Sequence, residues 1–245
     1  MHALLLSLGL VAVLTLAELR WAARRDPTAR KTNLAAWALY TAAGVAFQPA
    51  TAALTVLVAN AAGGGLVDLA RWPLWAGAVG FTVAMDLGEY LFHRAQHALP
   101  WLWGMHSLHH SDPNMNATTG ARHFWAEPLL KAVTIWLAVG LVFKATPEIL
   151  AVYSLVSLYH FFSHANLNVN FGRWSWLLNS PAYHRVHHSA EPADYGSNYA
   201  ALFPAFDMVL GSYCRPLHVP KTGLPSRPTG LIDIVVWPLR VGRLT

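Results

Sequence analysis

"SPAYHRVHHSAEPADYGSNY", residues 180–199, sets His184, His187 and His188 into five consecutive positions beside an arginine and a run of turn formers. The same spacing recurs in "HSLHHSDPN" at 106–114, where His106 is followed by His109 and His110. Two further pairs, His93 with His97 in "HRAQH" and His160 with His164 in "HFFSH", are spaced by four. Residues three and four apart share one face of a helix, so each group can aim its imidazoles at a common point.

The rest of the chain explains where such clusters sit. Of its 245 residues, 55% are hydrophobic and only 12% are charged, a balance that points away from a soluble globule and toward a membrane protein. No charge lies between His2 and Glu18, and none between Lys31 and Asp68 despite the Gln48-Pro49 break; both stretches are long enough to cross a bilayer core. A third apolar run goes from Trp72 to Met85 and continues through Asp86 and Glu89 to His93. Two shorter runs, Ala132 to Phe143 and Ile149 to Tyr159, have the length of buried or re-entrant helices, and can still span if Lys131 and Lys144 snorkel to the interfaces and the ends are counted. The first run carries its basic residues after the apolar stretch instead of before it, so it reads as a retained anchor and not as a secretion signal. The single Cys214 excludes an internal disulfide and a cysteine-rich metal knuckle. The net charge of +5 sits at the flanks of apolar runs, which fits membrane orientation and not nucleic-acid binding.

Arg20, Arg24, Arg25, Arg30 and Lys31 cluster between the first two runs, whereas "AAGGGLVDLARWP" at 61–73 has one basic and one acidic residue. The positive-inside rule puts the 20–31 loop in the cytoplasm. Counting crossings from there brings His93 and His97 to the cytoplasmic end of the third run. Thr146, Pro147 and Glu148 form a helix start, and a helix from Pro147 to His164 is about 27 Å long, so His160 and His164 return to that side. Residues 231–239, "LIDIVVWPL", read as a surface-lying helix. The expected fold is an all-α integral membrane protein of one domain. It has four or five transmembrane or membrane-embedded helices and a cytosolic, histidine-rich dimetal cap. Residues 1–79 are anchor helices, 80–212 the catalytic region and 213–245 a C-terminal cytosolic tail.

One metal ion takes about four to six ligands, so ten gathered imidazoles suggest two ions. Zinc accepts histidine but has no redox chemistry, whereas two redox-active ions beside an apolar compartment suit oxygen activation and attack on an unactivated C–H bond. Neutral ligands leave positive charge at such a centre, so nearby anions that orient ring N–H groups are expected. Asp86 shares a helical face with Tyr90, His93 and His97; it is a candidate for that work, or for an ion pair with Arg94 or Arg185. Glu89 and Asn198 are further candidates, as are Asn116, Asn166 and Asp194, although each also suits a turn or cap. His123, in "GARHFWAEP" at 120–128, is either an eleventh ligand or part of the substrate's access route. His2 and His218 stand outside any cluster. Trp101, Trp103, Phe124, Trp125, Tyr159, Phe161 and Phe162 suit an interfacial belt or a lipid slot.

The stretches "DLGEYLFHRAQH", "WGMHSLHHSDPN", "FFSHAN" and "SPAYHRVHHS" together resemble the membrane fatty acid hydroxylase and sterol desaturase superfamily, over about residues 80–212. The resemblance implies a histidine-ligated di-iron oxygenase that uses O2 to hydroxylate or desaturate a lipid, whether fatty acyl, sterol, carotenoid or alkyl lipid. By motif, the ligands it implies are His93, His97, His106, His109, His110, His160, His164, His184, His187 and His188. "RHFWAEP" departs from the family's spacing around His123. The chain has no fused haem-binding segment, so the resemblance implies a separate electron donor of ferredoxin or cytochrome b5 type. The rival reading is a metal transporter or a metal-binding protein without oxygenase activity; a transporter should set ligands at different depths, near the midplane. A reporter fused after Thr245 should be cytoplasmic, and an external location would overturn the assigned orientation.

Overall fold

The structure, a computed structural model, describes residues 2–241, without the side chains of His2 and Ala3; Thr245 lies outside this range. It is mostly helical. Helix α1 (His2–Trp21) and helix α2 (Arg30–Ala61) are long and apolar enough to cross a membrane. Both carry large apolar side chains on their outer surfaces, among them Leu5, Leu16, Leu19, Val45 and Leu57, a pattern that is costly against water and favourable against lipid. The Gln48-Pro49 pair does not break α2, which runs straight through it. The Thr51 hydroxyl donates within this turn to the carbonyls of Phe47 or Gln48, at 3.2 and 3.1 Å.

Helix α3 (Leu74–Ala98) buries one face made by Gly77, Ala78, Phe81, Thr82, Met85, Asp86 and Tyr90, adjacent pairs that recur every four residues and follow the helical period. Its core partners are Leu69, Ile135, Val139 and Ile149. A Cβ at Gly77 would stand 2.8 Å from Ile149 Cδ1, and one at Gly88 would stand 2.8 Å from Ile135 Cγ2. The two glycines therefore let α3 close on its neighbours. Leu99, extended ahead of Pro100 (φ −103°, ψ 120°), ends α3 and starts helix α4 (Pro100–His110), because the residue before a proline avoids helical backbone. This bend folds the histidines of α4 back against those at the end of α3.

The chain next forms a 3-10 turn at Ala117–Ala121, then helix α5 (Glu127–Lys131), a wide π turn at Ala132–Trp136 and helix α6 (Leu137–Val142). Val67–Asp68 and Phe143–Lys144 pair in parallel, Val67 opposite Phe143. Lys131 does not snorkel: its Nζ lies 2.7 Å from Glu89 Oε2. Helix α7 (Pro147–Val156) starts as expected, with Thr146 Oγ1 accepting the Ile149 N–H. The helix expected to continue to His164 is interrupted by a turn at 157–158, and helix α8 (Tyr159–Ser163) restarts beyond it.

Helix α9 (Pro181–His187) is capped by Ser180, whose Oγ accepts the Tyr183 N–H, with Pro181 at the first helical position. Helix α10 (Ala205–Leu210) follows, and helices α11 (Leu231–Val235) and α12 (Trp237–Val241) replace the single surface helix expected at 231–239. These last two are docked and not laid on the surface: Ile234 and Trp237 are buried against Ala36, Leu108 and Phe124.

Polar side chains near one end of α1 and α2 tie these helices to the histidine-bearing loops. Glu18 accepts the backbone N–H groups of Ala117 (2.6 Å) and Asn166 (2.8 Å) and pairs with Arg30 at 2.8 Å. Asn33 donates to Asp112 (2.7 Å) and to Thr118 (2.8 Å) and accepts from Arg122 (2.8 Å). Arg122 also donates to the Leu108 carbonyl and to Ser111, and Asp112 accepts from Thr119. The loop that follows α4 is therefore held by a buried, interconnected polar network.

Candidate metal centre

The bend at Leu99, the cap at Ser180 and the end of α8 bring nine of the ten expected histidines into two groups. His93, His97, His106, His110 and His187 form one, and His109, His164, His184 and His188 form the other. Within each group the facing ligand atoms all lie within 4.8 Å of one another. The two groups adjoin, with the His110 and His188 rings stacked at 4.3 Å between centroids.

The division corrects the idea that each three-histidine cluster aims at one point. Successive residues on a helix are about 100° apart, so His109 and His110 cannot face the same ion. Positions four apart stay together: His106 with His110, and His184 with His188. The histidine at the third position crosses over, so His109 joins the second group and His187 the first.

His160 lies outside both groups. The turn at 157–158 leaves it in the first turn of α8, its ring against Phe161 at 4.0 Å between centroids and its Nδ1 2.5 Å from the Ser157 carbonyl. His123 also joins neither group. It stacks on His109 at 4.6 Å with rings 10° apart, and its Nδ1 lies 3.2 Å from Glu127 Oε2. Gln96 donates to the same carboxylate at 3.2 Å.

Four of the grouped histidines are oriented by backbone carbonyls. Nδ1 of His93 donates to the Tyr199 carbonyl (2.7 Å), that of His187 to Ser197 (2.8 Å), that of His109 to Arg122 (3.3 Å) and that of His164 to His160 (2.6 Å). A carbonyl only accepts, so the proton sits on Nδ1 and each Nε2 presents a lone pair to its group. His164 Nε2 stands 3.0 Å from His109 Nε2 and 2.9 Å from His184 Nε2. The lone pairs of His164 and His109 repel unless a cation lies between them. The separation matches the roughly 3 Å between two nitrogens bound at right angles to one ion at about 2.1 Å. In the other group, the Nε2 atoms of His93, His97 and His187 are buried without a hydrogen-bond partner. Buried, unpaired and convergent imidazole nitrogens fit a metal ion in each group.

A strap of chain from Ser197 to Phe203 supplies the carbonyls that hold His93 and His187. Four buried side chains pin it, one of them Asn179, whose Nδ2 donates to the carbonyls of Ala200 (3.0 Å) and Ala201 (3.1 Å). Asn198, in the left-handed region at φ 57°, donates to the carbonyls of Tyr183 (3.1 Å) and Cys214 (2.9 Å) and accepts the Cys214 N–H at 2.7 Å. Asp207 accepts the N–H groups of Tyr199 (2.8 Å) and Ala200 (2.9 Å) and the hydroxyls of Ser212 and Tyr183. Asp86 accepts those of Leu202 (2.9 Å) and Phe203 (2.8 Å). Neither Asp86 nor Asn198 touches a histidine, and Asp86 pairs with neither Arg94 nor Arg185; both act on the loop that carries the acceptors. Glu89 turns instead to Lys131. Asn116 caps the turn at Ala117–Ala121, Asn166 accepts from Arg185 at 2.8 Å, and the buried Asp194 lies 3.1 Å from the exposed His218, which also faces Glu191. The sequence reading missed Asp207, whose one signal is an acid inside the otherwise apolar "LFPAFDMVLG" at 202–211.

A cavity of about 520 Å³ leads to both groups. It is lined by the aromatic side chains of Trp37, Trp136, Tyr153 and Phe161 and by His93, His106, His109, His164 and His184. Trp103 instead packs on the first group, 5.0 Å from His97 and 5.5 Å from His110 between centroids.

A profile for the family described as "Fatty acid hydroxylase" matches residues 78–212, more than half of the chain. This chain belongs to the fatty acid hydroxylase family. Among curated relatives, alkylglycerol monooxygenase of Xenopus tropicalis is 33% identical over 143 residues, which cover 58% of this chain and 30% of that protein. The Danio rerio protein of the same name is 30% identical over 165 residues, 66% of this chain and 35% of that one. The ornithine lipid hydroxylase OlsE of Rhizobium tropici is 26% identical over 154 residues, 63% of this chain and 46% of the relative. This family member thus spans about a third to a half of the length of the relatives it matches. No solved structure matches it. Family membership and the two long apolar helices make it a membrane protein.

Burial pushes His106, His109, His110, His184 and His188 well below the usual histidine range, and neighbouring imidazoles add to the shift. His187 is lowered to about 4, again by burial, although its bond to Ser197 and the charge of Asp207 oppose this. Such groups are neutral when folded and take up protons when unfolded below about pH 6.5. Metal-free protein should therefore lose stability as pH falls from about 6.5 toward 4, by roughly 1.4 kcal/mol per pH unit for each such histidine. Thermal unfolding of chelated protein in detergent checks this; a flat profile would contradict it. Asp207→Asn frees the strap that holds only the first group. Bound metal should drop from about two ions per chain toward one, measured by elemental analysis of folded protein.

Proposed function

We propose that this chain is an iron-dependent lipid monooxygenase that uses O2 to hydroxylate a C–H bond of a polar-headed alkyl lipid. The observation that carries the reading is the pair of buried imidazole groups that share one cavity with aromatic side chains such as Trp37, Trp136 and Phe161. Names of relatives add the substrate class: alkylglycerol monooxygenase and ornithine lipid hydroxylase both act on lipids with polar heads.

In this proposal His93, His97, His106, His110 and His187 hold one iron, and His109, His164, His184 and His188 hold the other. The iron centre, when bound, supplies oxygen activation and the removal of hydrogen from carbon. The chain does the rest. Carbonyls of Ser197, Tyr199, Arg122 and His160 fix ring orientation and keep each Nε2 unprotonated. The low basicity of the buried histidines keeps protons from competing for the ligand positions down to mildly acidic pH. Trp37, Trp136 and Phe161 give the cavity apolar walls that exclude water and accept a chain arriving sideways from the bilayer.

The remaining helices complete the membrane part, α3 and the α5–α6 and α7–α8 hairpin joining α1 and α2 for four or five embedded segments, with the histidine groups on the cytoplasmic side. Electrons come from a separate donor of ferredoxin or cytochrome b5 type. Both histidine groups lie side by side at one end of the helices, which favours an oxygenase over a transporter, whose sites would lie at separate depths.

Protein purified in mild detergent from iron-supplemented cells should hold about two irons per chain and consume oxygen only when a reductant is added. His187→Ala should lower the iron content. Zinc alone, or no oxygen uptake after iron reconstitution, would overturn the proposal.

A further inference from the structure

The cavity is not apolar throughout. Among its lining residues are Glu89 and Lys131, joined at 2.7 Å and each about one-fifth exposed, at 22% and 20%. Tyr40 and Tyr153 line the same cavity. Charges at membrane depth are expensive, and a half-open pair is dearer than the apolar residues that would serve packing equally well.

We infer that Glu89 and Lys131, with Tyr40 and Tyr153, form a polar clamp that selects a lipid by an uncharged, hydroxyl-bearing head, such as a vicinal diol. This rests on the lipid-oxygenase reading above. The closed pair is net neutral. Lys131 has donors to spare beyond the one given to Glu89, and the Glu89 carboxylate has free lone pairs. A diol can give a hydrogen bond to the carboxylate and accept one from the ammonium without separating the two. A phosphate would add negative charge beside Glu89, and a bare hydrocarbon would leave the clamp without partners. Glu89 is four residues before His93, about 6 Å or one turn along α3. A head held there presents to the histidine groups a carbon within a few bonds of the polar end, not the far methyl end of the chain.

The test is equilibrium binding to iron-loaded full-length protein in detergent, with three probes of one chain length: 1-O-hexadecylglycerol, its phosphate ester and hexadecane. The diol should bind at least about tenfold tighter than hexadecane, the scale of one or two hydrogen bonds to charged groups, and tighter than the phosphate. In the double variant Glu89→Leu with Lys131→Met, the diol-to-hexadecane ratio should fall to near one while hexadecane still binds and iron content is unchanged. Replacing an ion pair by apolar residues of similar size is often neutral for folding. A ratio near one in the unaltered protein, an undiminished ratio in the variant, or preference for the phosphate would each overturn the clamp. Head selection without reductant-dependent oxygen uptake would support the clamp and overturn the oxygenase reading instead.

Discussion

The structure depends on holding neutral imidazoles together where water cannot screen them. Unsupported, they would turn away or protonate; the carbonyls of Ser197, Tyr199, Arg122 and His160 prevent the first, and burial prevents the second. Each carbonyl takes the Nδ1 proton and so decides which nitrogen faces inward. Much of the surrounding backbone then has one task, to set those oxygens in place.

The strap shows how this task is met at a distance. Asn198, Asp207 and Asp86 come from three parts of the chain and touch no histidine, yet their hydrogen bonds fix the loop on which two of the four acceptors lie. Acidic residues near a cationic centre need not compensate its charge directly. Here their carboxylates are consumed by backbone N–H groups, which leaves the histidine groups without a carboxylate ligand among the described residues.

Much of this was legible from residue types and spacing. The four histidine groups, the two long apolar runs, the proline-led starts at Pro147 and Pro181 and the family all follow from local pattern. The split of the clusters was also readable, since adjacent histidines on a helix diverge; what could not be read was which neighbour each would join, because that depends on the bend at Leu99 and on how α9 meets α4. The interruption at 157–158 has no proline or glycine to announce it in "SLVSLYHFF", so spacing and motif both group His160 with His164. Asp207 was missed for a similar reason: its partners are backbone groups brought close by tertiary folding, and these leave no periodic trace.

Glu18 and Asn33 lie on the two helices that look most like detachable anchors, yet their side chains end in the loops that carry the metal-facing residues. Anchoring and the histidine site are thus not modular in this molecule. Trimming α1 and α2 to obtain a water-soluble fragment would strip the hydrogen-bond acceptor from the turn at Ala117 and from Asn166, and would leave Asp112 and Arg122 facing a void. The lipid-facing helices are structural members of the reactive end, so its geometry is built only when they are in place.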